Sequence, residues 1–167
     1  MRAVPASISL RKATPEDDAF MAAVYASTRA DEMKLVDWTP EQKQAFVQMQ
    51  LYAQKTSYER DYPEAVYQVI LHHDVPAGRL IVDRSGDSIA IIDIAVLPEH
   101  RSRGIGASLL QDLQREAENV GKPLRLYVEN FNRASRLYER LGFVKTAEHG
   151  IYSRMEWTPA AQLAQAS

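Results

Sequence analysis

The stretch that most constrains the fold is "SIAIIDIAVLPEHRSRGIGASLLQDL", Ser88–Leu113. Ser88–Leu97 is apolar almost throughout, as in a central strand buried on both faces, and Asp93 is its charged interruption. Past Pro98, Gly104 and Gly106 precede a helical pattern in which Ile105, Leu109, Leu110, Leu113, Ala117 and Val120 share one face. Gly121 stops this helix, and Pro123 lies just beyond. "PLRLYVEN" (Pro123–Asn130) then reads as the next strand, so the helix is a crossover between two parallel neighbours.

The flanking elements are legible by the same rules. Ser7–Ala13 alternates as a first strand, and "TPED" (Thr14–Asp17) caps a helix expected to reach about Asp31. "TPEQ" (Thr39–Gln42) has the reciprocal capping pattern and opens a helix to about Arg60, with Ala45, Phe46, Met49, Tyr52 and Ala53 at helical spacing. Glu64–His73 is a strand; "DVPAG" reads as a turn, "RLIVDR" as the return strand and "SGD" (Ser85–Asp87) as a second turn. "NRASRLYERLG" (Asn132–Gly142) reads as a short helix with an Asn cap and a Gly stop. A hairpin around Gly150 follows, with a frayed tail from Thr158. The order β-α-α-β-β-β-α-β-α-β-β defines an α+β domain, residues 1–167. Its mixed, mostly antiparallel sheet has six or seven strands and one parallel pair, flanked by about four helices.

The glycine loop offers two readings. It is an ordinary strand-to-helix turn, or it is an anion site built from the unpaired N–H groups of a helix start. Arg101, Ser102 and Arg103 add two cations and a hydroxyl. A P-loop is excluded, because Gly-Ala-Ser stands where Gly-Lys-Ser/Thr is needed, and a dinucleotide fingerprint fails at Leu109. A net charge of −2 argues against a nucleic-acid binder, and the absence of cysteine removes disulfides and thiolate chemistry. The four histidines are scattered without metal-ligand spacing, so no metal is expected. With no apolar leader and no run of membrane-spanning length, a cytoplasmic protein without a membrane partner is expected.

The segment "PEHRSRGIG" after an apolar strand resembles the pyrophosphate-binding motif of the GNAT superfamily, the CoA-dependent N-acetyltransferases; Arg101, Gly104 and Gly106 fill its pattern. "NRASRLYERLGF" (Asn132–Phe143) is similar to the family's second motif. The resemblance is sharpest from Ile89 to Phe143 and implies the GNAT fold, in which the parallel pair splays at a β-bulge. Here that bulge is expected near Ile94–Val96. It further implies acetyl-CoA as cosubstrate, its pyrophosphate held by Arg101, Ser102, Arg103, Gly104, Ile105, Gly106 and Ala107. The pantetheine arm would lie along Ile94, Ala95 and Val96, with a Val96-type N–H at the thioester carbonyl. Asn130 or Asn132 takes the part of the family asparagine, with Asn132 favoured as helix cap; of the stripe Arg133, Arg136 and Arg140, which is either a solvated face or a contact of the nucleotide 3′-phosphate, Arg136 is the candidate contact.

The implied reaction is direct attack of a primary amine on the thioester, with Tyr138 as acid to the leaving thiolate. Asp93, Glu129, Tyr127 or a water relay could take the amine's proton; Asp93 could equally serve only to pair with an arginine. Trp38, Tyr58 and Tyr62 are candidates for the acceptor pocket, in a region where Phe46 and Met49 could instead simply pack on the sheet. The acceptor is a small-molecule or peptide amine, and homodimers are frequent in the family. Alternatives are another acyl-CoA, an amino-acid or protein N-terminal acceptor, or a non-catalytic acyl-CoA-binding regulator.

Overall fold

The structure is a computed structural model that describes residues 7–161. Its strands are β1 (Ile8–Lys12), β2 (Val66–His72), β3 (Val75–Asp83), β4 (Ile89–Val96), β5 (Leu124–Glu129), β6 (Val144–His149) and β7 (Tyr152–Trp157). The helices are α1 (Asp18–Lys34), α2 (Pro40–Asp61), α3 (Ile105–Val120) and α4 (Ala134–Arg140), with single 3₁₀ turns at Pro15–Asp17 and Pro98–His100. All seven strands form one sheet in the order β1-β2-β3-β4-β5-β7-β6, antiparallel except for β4 beside β5. The α+β architecture with one parallel pair is therefore as expected.

The core lies where α3 crosses the parallel pair. Ile105, Leu109, Leu110, Leu113 and Ala117 are buried against Ile89, Ile91, Leu124 and Leu126, and Val120 is exposed at the helix end. Burying a leucine here contributes roughly 1.5–3 kcal/mol, so this one face fixes the crossover. Gly121, at φ 71°, ends α3 in the left-handed conformation. Thr39 and Gln42 cap α2 reciprocally: Gln42 N–H donates to Thr39 Oγ1 at 3.1 Å, and Thr39 N–H donates to Gln42 Oε1 at 2.9 Å.

Several expectations are corrected. α1 runs on to Lys34. The β2–β3 turn is made by His73 and Asp74 (φ 50° and 64°) rather than by "DVPAG", and β3 begins at Val75. Pro76 sits inside β3 beside a register shift, where its missing N–H is tolerated. On α2, Met49 and Tyr52 are exposed, and Val47 is its buried residue. The inward side of α2 instead presents Gln54 and Tyr58 to cavities. The stretch from Ile92 to Val96 is half-buried rather than buried on both faces, because the sheet opens there. Thr158–Ala161 lie within the described residues and the Pro159 side chain is fully buried, so the tail is anchored at that point. The remainder of the expected frayed tail lies outside the described residues.

Candidate active site

β4 and β5 pair only through Ile89–Ile91 and Leu124–Leu126. Ile81 stands opposite Asp93 and Val82 opposite Ile91, so Ile92 is the extra residue of a bulge. The bulge thus falls upstream of the expected Ile94–Val96; no glycine or proline in the apolar run marks it. Beyond it, Ile94, Ala95 and Val96 still pair with Leu80, Arg79 and Gly78 of β3 but have no ladder partner on the β5 side. The result is an open backbone edge in the middle of the sheet.

The glycine loop closes one end of this opening. Ser108 N–H donates to the Gly104 carbonyl at 3.0 Å. The amides from Ser102 to Ala107 make no hydrogen bond among the described residues. Gly104 adopts φ 78°, and a Cβ built there would meet nothing within 4 Å. A cavity of about 350 Å³ lies over these groups, lined by Ile94, Val96, Arg101, Ser102, Gly104, Ile105, Gly106, Ala107 and Tyr138, among others. Arg101 Nε donates to the Val96 carbonyl at 2.9 Å, tying the loop to the end of β4. Arg103 and Arg136 do not line this cavity, whereas Arg140 of the same arginine stripe does.

A second cavity, of about 270 Å³, occupies the splay itself. Asp93, Glu129, Asn132, Tyr127 and Tyr138 all line it, together with Ile94 and Ala95. Tyr138 and Ile94 are common to both cavities. Tyr138 is only 7% exposed, and its hydroxyl makes no hydrogen bond among the described residues. Burial and the nearby charge of Asp93 push its pKa up to about 12, so it is protonated at neutral pH. Asn132 Oδ1 accepts from Ala134 N–H at 2.8 Å one residue ahead of the cap position, which Arg133 rather than the expected Asn132 occupies, whereas Asn130 bonds to Ser153 Oγ and the Gly150 carbonyl. Glu129 lies 3.9 Å from Arg29 of α1.

Asp93 is held. Arg79 Nε donates to its Oδ2 at 2.5 Å, and Arg79 Nη2 donates to Gln54 Oε1 at 2.9 Å. Burial raises the Asp93 pKa, and the Arg79 charge and hydrogen bond oppose that rise. Arg79 and Gln54 were not anticipated from the sequence. Yet Arg79 shares the face of β3 with Ile81 in a strand that is otherwise apolar until its last residue, Asp83, and a charge in that position demands a partner.

The acceptor-pocket candidates divide. Tyr58 lines the splay cavity and, with Tyr62, an adjoining cavity of about 700 Å³. The two cavities share Tyr58, Ile91, Ile92, Leu126, Tyr127 and Tyr152. Trp38 packs edge-on against Phe46 with ring centroids 5.2 Å apart and lines neither cavity. Among the described residues no group of three or more His, Asp or Glu side chains could hold a metal ion, and no helix is long and apolar enough to cross a membrane.

Comparison with known proteins agrees with this fold. No curated protein matches the chain. Among solved structures, the PaiA N-acetyltransferase of Thermoplasma acidophilum in complex with coenzyme A superposes with a TM-score of 0.68 at 18% identity, covering 91% of this chain and 99% of that one. An acetyltransferase of Thermus thermophilus gives 0.65 at 17% identity, with 91% and 97% covered. RimL, a ribosomal L7/L12 α-N-protein acetyltransferase in complex with coenzyme A, gives 0.60 at 19%, with 95% and 98% covered. At these identities the likeness is one of fold. The family model "Acetyltransferase (GNAT) family" matches residues 32–143, well over half of the chain. That segment holds the splay, the glycine loop and Tyr138, and the chain belongs to the GNAT acetyltransferase family.

Proposed function

We propose that the protein transfers the acetyl group of acetyl-CoA directly to a primary amine. The observation that carries this reading is the position of Tyr138: a buried, protonated phenol without a protein partner among the described residues, where the glycine-loop cavity meets the splay cavity. The neighbours crystallised with coenzyme A support the choice of donor. The free amides of Ser102–Ala107, with Arg101 beside them, fit a pyrophosphate. The unpaired edge at Ile94–Val96 fits an extended amide-bearing arm, and a Val96-type N–H would polarise the thioester carbonyl. Tyr138 gives its proton to the departing thiolate, and a carboxylate of the splay cavity, Asp93 or Glu129, takes the proton of the attacking ammonium. The amine enters past Tyr58 and Tyr62.

Thiol release from acetyl-CoA, followed against a panel of amines, amino acids and peptides, tests the reading. With an active acceptor, Tyr138→Phe is expected to lower kcat by about 10²-fold or more, the usual scale of a lost proton donor, with CoA affinity within about threefold. Unchanged turnover in that variant would remove the acid role.

A further inference from the structure

The geometry points to Arg79 as a positioning residue that grips one oxygen of Asp93 so that the other faces the incoming amine. The inference rests on the acetyl-transfer reading above and decides between its two candidate proton acceptors in favour of Asp93.

Arg79 is 5% exposed in the middle of β3. Its guanidinium is held on three sides: Asp93 Oδ2 at 2.5 Å, Gln54 Oε1 at 2.9 Å, and the Tyr25 ring with its centroid 5.7 Å away. These partners come from β4, α2 and α1, so one planar group ties the helix walling the acceptor side to the strand at the reaction centre. Asp93 Oδ1 makes no hydrogen bond among the described residues, and the Asp93 side chain remains 24% exposed. The gripped oxygen fixes the rotamer; the free one belongs to a residue lining the splay cavity. The other groups around Asp93 are Tyr58 from α2, Tyr138 from α4 and Arg29 from α1, while Glu129 of β5 lines the same cavity.

A carboxylate can accept a proton only when ionised, and burial works against ionisation. Arg79 compensates that penalty with a charge-assisted bond to the oxygen that does not react. The proton balance is then complete. Asp93 takes one proton from the acceptor ammonium, and the free amine attacks the thioester carbon as its bond to sulfur breaks. The thiolate takes the Tyr138 proton, and the second amine proton restores the phenol. Asp93 releases its proton to water, and the net products are amide, thiol and one proton.

The test compares the wild type with Arg79→Gln and Arg79→Lys. Two readouts are used: the pH profile of kcat/KM for the acceptor, and a ¹³C NMR titration of the Asp93 carboxyl. In Arg79→Gln the acid limb should move up by at least about one pH unit, with a rate roughly tenfold or more below wild type on that limb and largely recovered on its alkaline side. Arg79→Lys should fall between, keeping the charge without the fork, and it carries the test if Arg79→Gln does not fold. The carboxyl titration should move with the kinetic limb. A loss equal at every pH, or an Asp93 titration unchanged by both variants, overturns the inference. If the wild type transfers acetyl to no amine, the reading of function fails instead, while the carboxyl titration still decides what Arg79 does to Asp93.

Discussion

Gly104 stands at the head of α3 in the left-handed conformation, beside the unpaired amides of the loop. Its φ of 78° costs an L-residue roughly 1–2 kcal/mol, but the space around its missing Cβ is open. Strain and charge can therefore be separated. Gly104→Asn, which tolerates the left-handed conformation, should leave CoA affinity within a few-fold. Gly104→Glu should weaken it by about 100-fold or more, because a carboxylate then occupies the positive end of the helix beside the free amides. Calorimetric titration with CoA distinguishes the two, and equal affinities would refute the phosphate role of the loop. Gly78 serves differently. A Cβ there would lie 2.2 Å from the Ala95 carbonyl, so this glycine permits β3 to approach the part of β4 that opens toward the splay.

Among the elements, the helix starts were legible because capping is local chemistry. Thr14 N–H donates to Asp17 Oδ2 at 2.8 Å, and Arg11 donates to both Asp17 oxygens at 2.8 Å. The Arg11 contact, which joins β1 to the first helical turn, holds the Asp17 carboxyl well below the usual carboxylate range. A group depressed on folding contributes stability above its unfolded pKa of about 4 and loses it as pH falls toward the folded value. Asp17→Asn should therefore lower the Tm at about pH 7, with the difference from wild type shrinking steadily below about pH 4. A difference independent of pH would show that the contact acts by packing alone. The motifs of the site were also legible, since the glycine loop and the Tyr138 helix are contiguous in sequence. What escaped was set between strands. The Ile92 bulge depends on register with β3, the Pro76 position on a second register shift, and the Arg79–Asp93 pair on two strands aligning charges fourteen positions apart. Trp38 misled because an aromatic in the right segment says nothing of the direction it faces; it packs on Phe46.

Over the whole molecule, the sheet is two blocks, β1–β4 and β5–β7, joined by a three-residue parallel ladder and by the apolar face of α3. The opening below that ladder leaves polar backbone unpaired where an ordinary sheet would bond it. A ligand that pairs with this edge and with the loop amides completes the sheet as an added strand would. CoA at about 100 times its Kd should thus stabilise the protein by about 2.7 kcal/mol, raising Tm by roughly 5–10 °C for a domain of this size. Hydrogen exchange should locate the effect. Amides in Ile92–Val96 and Ser102–Ala107 should slow on binding, while the β2–β3 ladder, already paired on both sides of its register shift, should not change. Protection confined to residues outside these two segments would mean that CoA binds elsewhere, and that the splay serves some other ligand.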